Sequence, residues 1–274
     1  MIEIQAYKMD GLGNDFIIID RRKDKIDLSK QQIINIADRK KTAGCDQIII
    51  IDKDKEKKTN AKITFYNSDG GVTGACGNGS RCVSYFLMKE KKLNKSKINT
   101  ESGVLKAKLT GKTEVSVDMG TPNFNWQKIP LVKKMDNTKV KIKTKHFGVL
   151  SGYTLSVGNP HVIFFKDITF ELLKKIGPQI EHHEFFPERS NVTFAKIMNK
   201  KNIAVKVWER GAGLTLACGT AACATAVAAS KLGLTGKKVN IHFKNGTLHI
   251  EWTKDKHIIM TGSVSNIKNI ILKI

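Results

Sequence analysis

The chain has 274 residues, 41% hydrophobic and 26% charged, with a formal net charge of +22. That length suits two modest domains, and no apolar run approaches the ~20 residues of a membrane-spanning helix. Only six of the 47 basic residues are Arg, and the sparse aromatics are not interleaved with them, so the charge reads as a lysine-rich solvated surface and not as a nucleic-acid interface.

In chain order, residues 2–8 and 16–20 read as strands. Ser29-Lys30-Gln31-Gln32 has capping-box spacing, which predicts a helix to about Arg39. Gln47–Asp52 and Ala61–Tyr66 are isoleucine- and aromatic-bearing strands. A helix is expected from Cys76 to about Lys91, then a hairpin over Lys97–Leu109 and a neighbouring strand at Glu114–Asp118. The weaker stretch Thr121–Asn137, with Pro122 and Pro130, marks a domain boundary. Strands are expected at Tyr153–Val157, His161–Phe165, Asn191–Met198 and Ile203–Trp208, with a helix over Phe170–Ile180. A second cysteine-led helix runs from Cys218 to about Leu232. Val239–Glu251 reads as a hairpin around Asn245-Gly246, and His257–Thr261 and Ile267–Ile274 close the chain. The expected domains are 1–118, with segment 264–274 packing back onto it, and 119–263.

Five cysteines, Cys45, Cys76, Cys82, Cys218 and Cys223, give an odd number and no paired zinc-ligand spacing. Neither a disulfide framework nor a metal is expected. The segment Met1–Tyr7 has no secretory-leader pattern, so the cytoplasm is the expected location. Cys82 and Cys223 fall inside helices, where a cysteine ordinarily serves as a small buried hydrophobe, and Cys45 carries the same reading.

Cys76 and Cys218 differ from the other three. Each follows a glycine-bearing loop and precedes a helix, in Ala75-Cys76-Gly77-Asn78-Gly79 and Ala217-Cys218-Gly219-Thr220-Ala221. The first turn of a helix presents unpaired N–H groups that bind anions and favour a thiolate. Two such helices aimed at one carboxylate would put one thiol on each face of the adjacent carbon. One face could lose a proton while the other gains one, which inverts a stereocentre without an electron-sink cofactor. Asn14 and Asn159 are loop amides that alone read as turn residues, His161 alone reads as a surface or satisfied core histidine, and Glu209-Arg210 as a salt-bridging pair.

The ordered segments Met9–Phe16, Asn67-Ser68-Asp69-Gly70, Gly74–Cys82, Gly158-Asn159-Pro160-His161, Phe186–Val192, Glu209–Gly213 and Ala217–Thr220 together resemble the diaminopimelate epimerase family. The resemblance implies an α/β (α+β) fold of two pseudo-symmetric domains. Each would have a mixed sheet wrapped around a central helix, with the active site in the cleft between them. It implies epimerisation of L,L- to meso-diaminopimelate, for lysine and peptidoglycan precursors, with no cofactor. On this sequence it implies Cys76 and Cys218 as the acid–base pair, assisted by His161 and Glu209. Gly77, Asn78, Gly219 and Thr220 would bind the reacting carboxylate. Asn14, Gln47, Asn67, Asn159, Asn191 and Arg210 would hold the rest of the substrate. A small-molecule substrate and a homodimer are the implied partners, although Lys268 stands where some relatives carry a tyrosine linked to dimer contacts. Leu214 and Asp10 are further departures, replacing a common acidic residue and a common histidine. The alternatives are another two-cysteine racemase of the same fold and a cytosolic dithiol redox module.

Overall fold

The computed structural model describes residues 3–24, 26–74 and 76–273. The expected strand positions Ile2 and Ile274 lie outside the described residues. Backbone contacts divide the chain into two units, Met1–Asp118 with Thr261–Ile274, and Met119–Met260.

The first unit opens with strands β1 (Glu3–Gly11) and β2 (Asn14–Asp20), an antiparallel hairpin. Its turn is Leu12-Gly13, both at positive φ. The expected strand 2–8 is therefore too short, because the turn begins only after Gly11. Helix α1 (Lys30–Ala37) starts at Ser29, whose side chain and that of Gln32 complete the predicted capping box. The helix crosses over to β3 (Gln47–Asp52), which lies parallel to β2, and β4 (Ala61–Asn67) returns antiparallel. A short β5 (Val72–Thr73) precedes helix α2 (Gly77–Glu90). Strands β6 (Lys95–Thr100), β7 (Gly103–Leu109) and β8 (Glu114–Asp118) follow as an antiparallel run, with β6 parallel to β4.

The β2 run Phe16-Ile17-Ile18-Ile19 is wholly buried because both faces of the sheet are covered. Ile17 and Ile19 join Ile33 and Ile36 of α1 in one cluster. The opposite face meets α2, which packs against β1, β2, β6, β7 and β8. All of α2 from Gly77 to Met88 is buried. Gly79 is required there: a Cβ would fall 2.9 Å from Phe65 and 3.2 Å from Phe16. Leu87 and Met88 each contribute roughly 1.5–3 kcal/mol by leaving water.

The second unit repeats this order. The sequence reading did not anticipate β9 (Val140–Thr144), which pairs with β10 (Gly148–Ser156). Strand β11 (Pro160–Phe164) runs antiparallel to β10. Helix α3 (Phe170–Glu181), capped by Thr169, crosses to β12 (Asn191–Asn199), parallel to β11. Strand β13 (Asn202–Glu209) returns antiparallel, β14 (Gly213–Thr215) is short, and helix α4 (Gly219–Lys231) follows. Strands β15 (Lys238–Phe243) and β16 (Gly246–Trp252) form the predicted hairpin, with β15 parallel to β13, and β17 (Ile258–Ser263) comes next. The chain ends with β18 (Lys268–Lys273), antiparallel to β1 in the first unit.

Helix α4 packs against β10, β11, β12, β15 and β16, and every residue from Gly219 to Ala229 is buried. Its buried surface is mostly alanine, so its backbone lies close to its strands. In each unit, then, a mixed sheet wraps one central helix, and a second helix covers the outer face. No helix among the described residues is long and apolar enough to cross a membrane.

Candidate active site

Cys76 is the N-cap of α2, and its sulfur accepts the Gly79 N–H at 3.3 Å. The helix therefore begins at the sulfur, with Gly77 and Asn78 as its first two residues. Asn14, the first residue of β2, places its Oδ1 3.9 Å from Cys76 Sγ and accepts from Asn78 Nδ2 at 3.5 Å. Asn14 is itself held by Asp46, whose Oδ2 accepts its amide at 3.0 Å. Arg39 bridges Asp46 and Asp15. Burial works to raise the Asp15 pKa, yet the hydrogen bonds from Arg39 and Lys8 bring it down to about 2. The sequence reading missed this support, because Asp15, Arg39 and Asp46 come together only when β2 and β3 pair. Gln47 and Asn67 face each other across β3 and β4, with Gln47 Nε2 donating to Asn67 Oδ1 at 2.8 Å. Gln47 Oε1 is buried without a hydrogen-bond partner.

Cys218 is the N-cap of α4, followed by Gly219 and Thr220. Its sulfur lies 3.5 Å from Thr220 Oγ1. Burial, and then the negative charge of Glu209 beside it, push the Cys218 thiol well above its ordinary range. Glu209 closes β13 and is also shifted upward by burial, an effect that the neighbouring Thr215 hydroxyl and Cys218 thiol oppose. Thr215 was not anticipated; it belongs to β14, which the sequence does not announce.

His161 is fully buried on β11 and pairs across the sheet with Asn191. Its Nε2 is 2.8 Å from Asn159 Oδ1, and Asn159 Nδ2 donates to Thr220 Oγ1 at 3.3 Å. His161 thus reaches the Cys218 neighbourhood through Asn159 and Thr220. Burial, reinforced by the Arg210 charge, lowers its pKa to about 3, so the ring is neutral at pH 7. Asn191 accepts the Arg210 N–H at 3.0 Å and donates to the Pro160 carbonyl at 2.9 Å. The Arg210 guanidinium is exposed and donates to the Glu188 carbonyl at 3.1 Å. None of the five cysteines forms a disulfide, and no cluster of three or more metal-ligating side chains occurs among the described residues.

The predicted residues therefore fall into two groups. Asn14, Gln47, Asn67, Cys76, Gly77 and Asn78 gather in the first unit. Asn159, His161, Asn191, Glu209, Arg210, Cys218, Gly219 and Thr220 gather in the second. Each group offers a sulfur at a helix start and a set of polar side chains on the adjoining strand ends.

The sequence matches the family described as diaminopimelate epimerase over residues 6–125 and 153–267. The chain belongs to the diaminopimelate epimerase family. A diaminopimelate epimerase of Pelagibacter ubique is 51% identical over 280 residues, covering 100% of both chains. One from Caulobacter vibrioides is 44% identical over 269 residues, covering 94% of this chain and 93% of its own. Among solved structures, a probable proline racemase from Agrobacterium radiobacter superposes with a TM-score of 0.75 at 13% identity, covering 99% of this chain and 92% of that one. A hydroxyproline epimerase from Agrobacterium vitis gives 0.70 at 13% identity, covering 98% and 93%. These two likenesses concern the fold, and they agree with the expected two-domain α+β architecture. As a family member the chain is an isomerase, and the matched spans contain both cysteine-led helix starts.

Proposed function

We propose that this chain interconverts L,L- and meso-diaminopimelate without a cofactor, using Cys76 and Cys218 as the two acid–base groups. The observation that carries this reading is the repeated placement of a cysteine as the N-cap of a buried central helix, at corresponding points of the two units. Family membership supplies the substrate.

In the proposed reaction one sulfur, as thiolate, removes the α-proton, and the other, as thiol, delivers a proton to the opposite face. The negative charge that develops spreads into the α-carboxylate. The helix-start N–H groups at Gly77, Asn78, Gly219 and Thr220 stabilise it there. Burial and the Glu209 charge favour the protonated form of Cys218. After inversion the two sulfurs have exchanged roles. Glu209 and His161 assist by returning the proton balance at the thiols. Arg210 provides a planar fork for the distal carboxylate, and Gln47 Oε1 and the Asn67 amide receive the distal ammonium. The cytoplasm is the proposed location and a homodimer the proposed assembly, which sedimentation equilibrium would check.

Incubating reduced protein with L,L-diaminopimelate in D2O, with no added cofactor, tests the reaction. The expected result is deuterium at the α-carbon together with meso product. Absence of both, with the protein shown to be folded, overturns the reading. Preferential exchange of proline in the same assay would move it to a proline-type racemase.

A further inference from the structure

We propose that Glu181 is a positioning residue that holds the Trp208–Gly211 turn and thereby aims Glu209 and Arg210. This deepens the functional reading above and rests on the roles given there to those two side chains.

Glu181 is the last residue of α3 and is 3% exposed. Its Oε2 accepts the Trp208 indole N–H at 2.7 Å, and its Oε1 accepts the Gly211 backbone N–H at 2.8 Å. The two donors flank Glu209 and Arg210 on either side. One side chain therefore clamps both ends of the short turn that carries two site residues. The turn is closed by Ala212 N–H donating to the Glu209 carbonyl at 3.2 Å, and Gly211 has φ +75°. Asn191 adds a third fixed point on the Arg210 N–H.

The location is electrostatically costly, because the C-terminal end of a helix repels negative charge. Arg189 stands 4.0 Å away but is largely exposed, so it offsets little. The carboxylate is retained against this cost through short charge-assisted bonds that a neutral side chain would not reproduce. The fold also makes room for the arrangement. A Cβ on Gly177 would lie 2.7 Å from the Trp208 ring, so only glycine in α3 lets Trp208 lie flat against the helix and turn its N–H to Glu181.

Glu181→Gln is the incisive variant. The amide can accept at one end only, and its NH2 meets either the indole or the Gly211 N–H donor to donor. The experiment measures KM for L,L-diaminopimelate in wild type, Glu181→Gln, Arg210→Ala and the double variant, with amide hydrogen exchange at Gly211 alongside. Glu181→Gln is expected to raise KM about tenfold, the scale of one lost charge-assisted bond. In the Arg210→Ala background the same change is expected to move KM less than about twofold, because the aimed group that grips the substrate is gone and the other, Glu209, acts on kcat. Gly211 is expected to lose protection while the β12 amides keep theirs. An unchanged KM with Gly211 still protected overturns the proposal. So does a KM effect that persists in full without Arg210, which would mark Glu181 as a support for folding alone. Trp208→Phe removes one of the two bonds and keeps most of the packing. Should Glu181→Gln fail to fold, this second variant decides, with an expected rise of roughly threefold and the same cancellation. If wild type does not turn over the substrate, the functional reading fails, and exchange at Gly211 still tests the clamp.

Discussion

Phe16 and His161 hold corresponding places in the two units. Phe16 sits on β2 opposite Gln47 of β3, and His161 sits on β11 opposite Asn191 of β12, each in a parallel pairing bridged by an outer helix. Asn67 ends β4 as Glu209 ends β13, and Cys76 and Cys218 cap the central helices. The first unit fills this frame with a phenyl ring and amides. The second fills it with an imidazole, a carboxyl group and a guanidinium. A repeated backbone plan thus fixes where side chains stand, and the residue at each position sets the chemistry available there.

The sharpest way to break the comparison is to remove each sulfur in turn. Cys76→Ala and Cys218→Ala are each expected to lower epimerisation by about three orders of magnitude, the scale of a lost acid–base group, with unchanged circular dichroism. Full activity in either one would mean that the two helix starts are not partners in the same reaction. Arg210 has no charged counterpart at the end of β4, so the grip on the distal carboxylate is assigned to the second unit. Arg210→Lys is expected to raise KM roughly tenfold or more while leaving kcat within a few-fold, because an ammonium lacks the planar fork. An unchanged KM would remove that assignment.

The remaining test concerns stability. His161 has a folded pKa of about 3 against an ordinary value of 6.5, so the folded state holds fewer protons than the unfolded one between them. Stability that is fully present above about pH 6.5 is therefore lost as pH falls toward 3, with a limiting slope near 1.4 kcal/mol per pH unit from this one group. Urea titrations of wild type and His161→Gln over that window check the sign: the variant is expected to show the shallower decline. An equal decline in both would mean that the ring is protonated without cost, as a solvated histidine is.

Much of this was legible beforehand where the signal is local. The Ser29–Gln32 box, the Asn245-Gly246 hairpin and the two Gly-framed cysteines announce themselves within a few residues. The turn at Leu12-Gly13 falls in the expected gap between the first two strands, but β1 runs on to Gly11 and β2 begins at Asn14, because nothing in Lys8-Met9-Asp10 or Asn14-Asp15 signals that pairing continues up to the turn. β9 was missed because Val140-Lys141-Ile142-Lys143-Thr144 alternates inside a lysine-rich region that gives little contrast. Non-local features did not show at all. Nothing in Glu181-His182-His183-Glu184 distinguishes the one buried carboxylate from its neighbours, and nothing near Asp46 says that it will hold Asn14. The neutral state of His161 follows from complete enclosure, which sequence periodicity does not report.

The alanines of α4 set a limit on how this chain can drift. Ala221, Ala222, Ala224, Ala226, Ala228 and Ala229 are each no more than 2% exposed. A helix with no bulk to surrender leaves mutation one direction only, toward larger side chains, and a tightly enclosed core tolerates that direction poorly. Tyr85, Phe86, Leu87 and Met88 give α2 volume that can be traded among neighbours. Neutral change is therefore expected to accumulate faster in the core around α2 than around α4, and the inner wall of the second unit should be the slowest-evolving surface of the molecule.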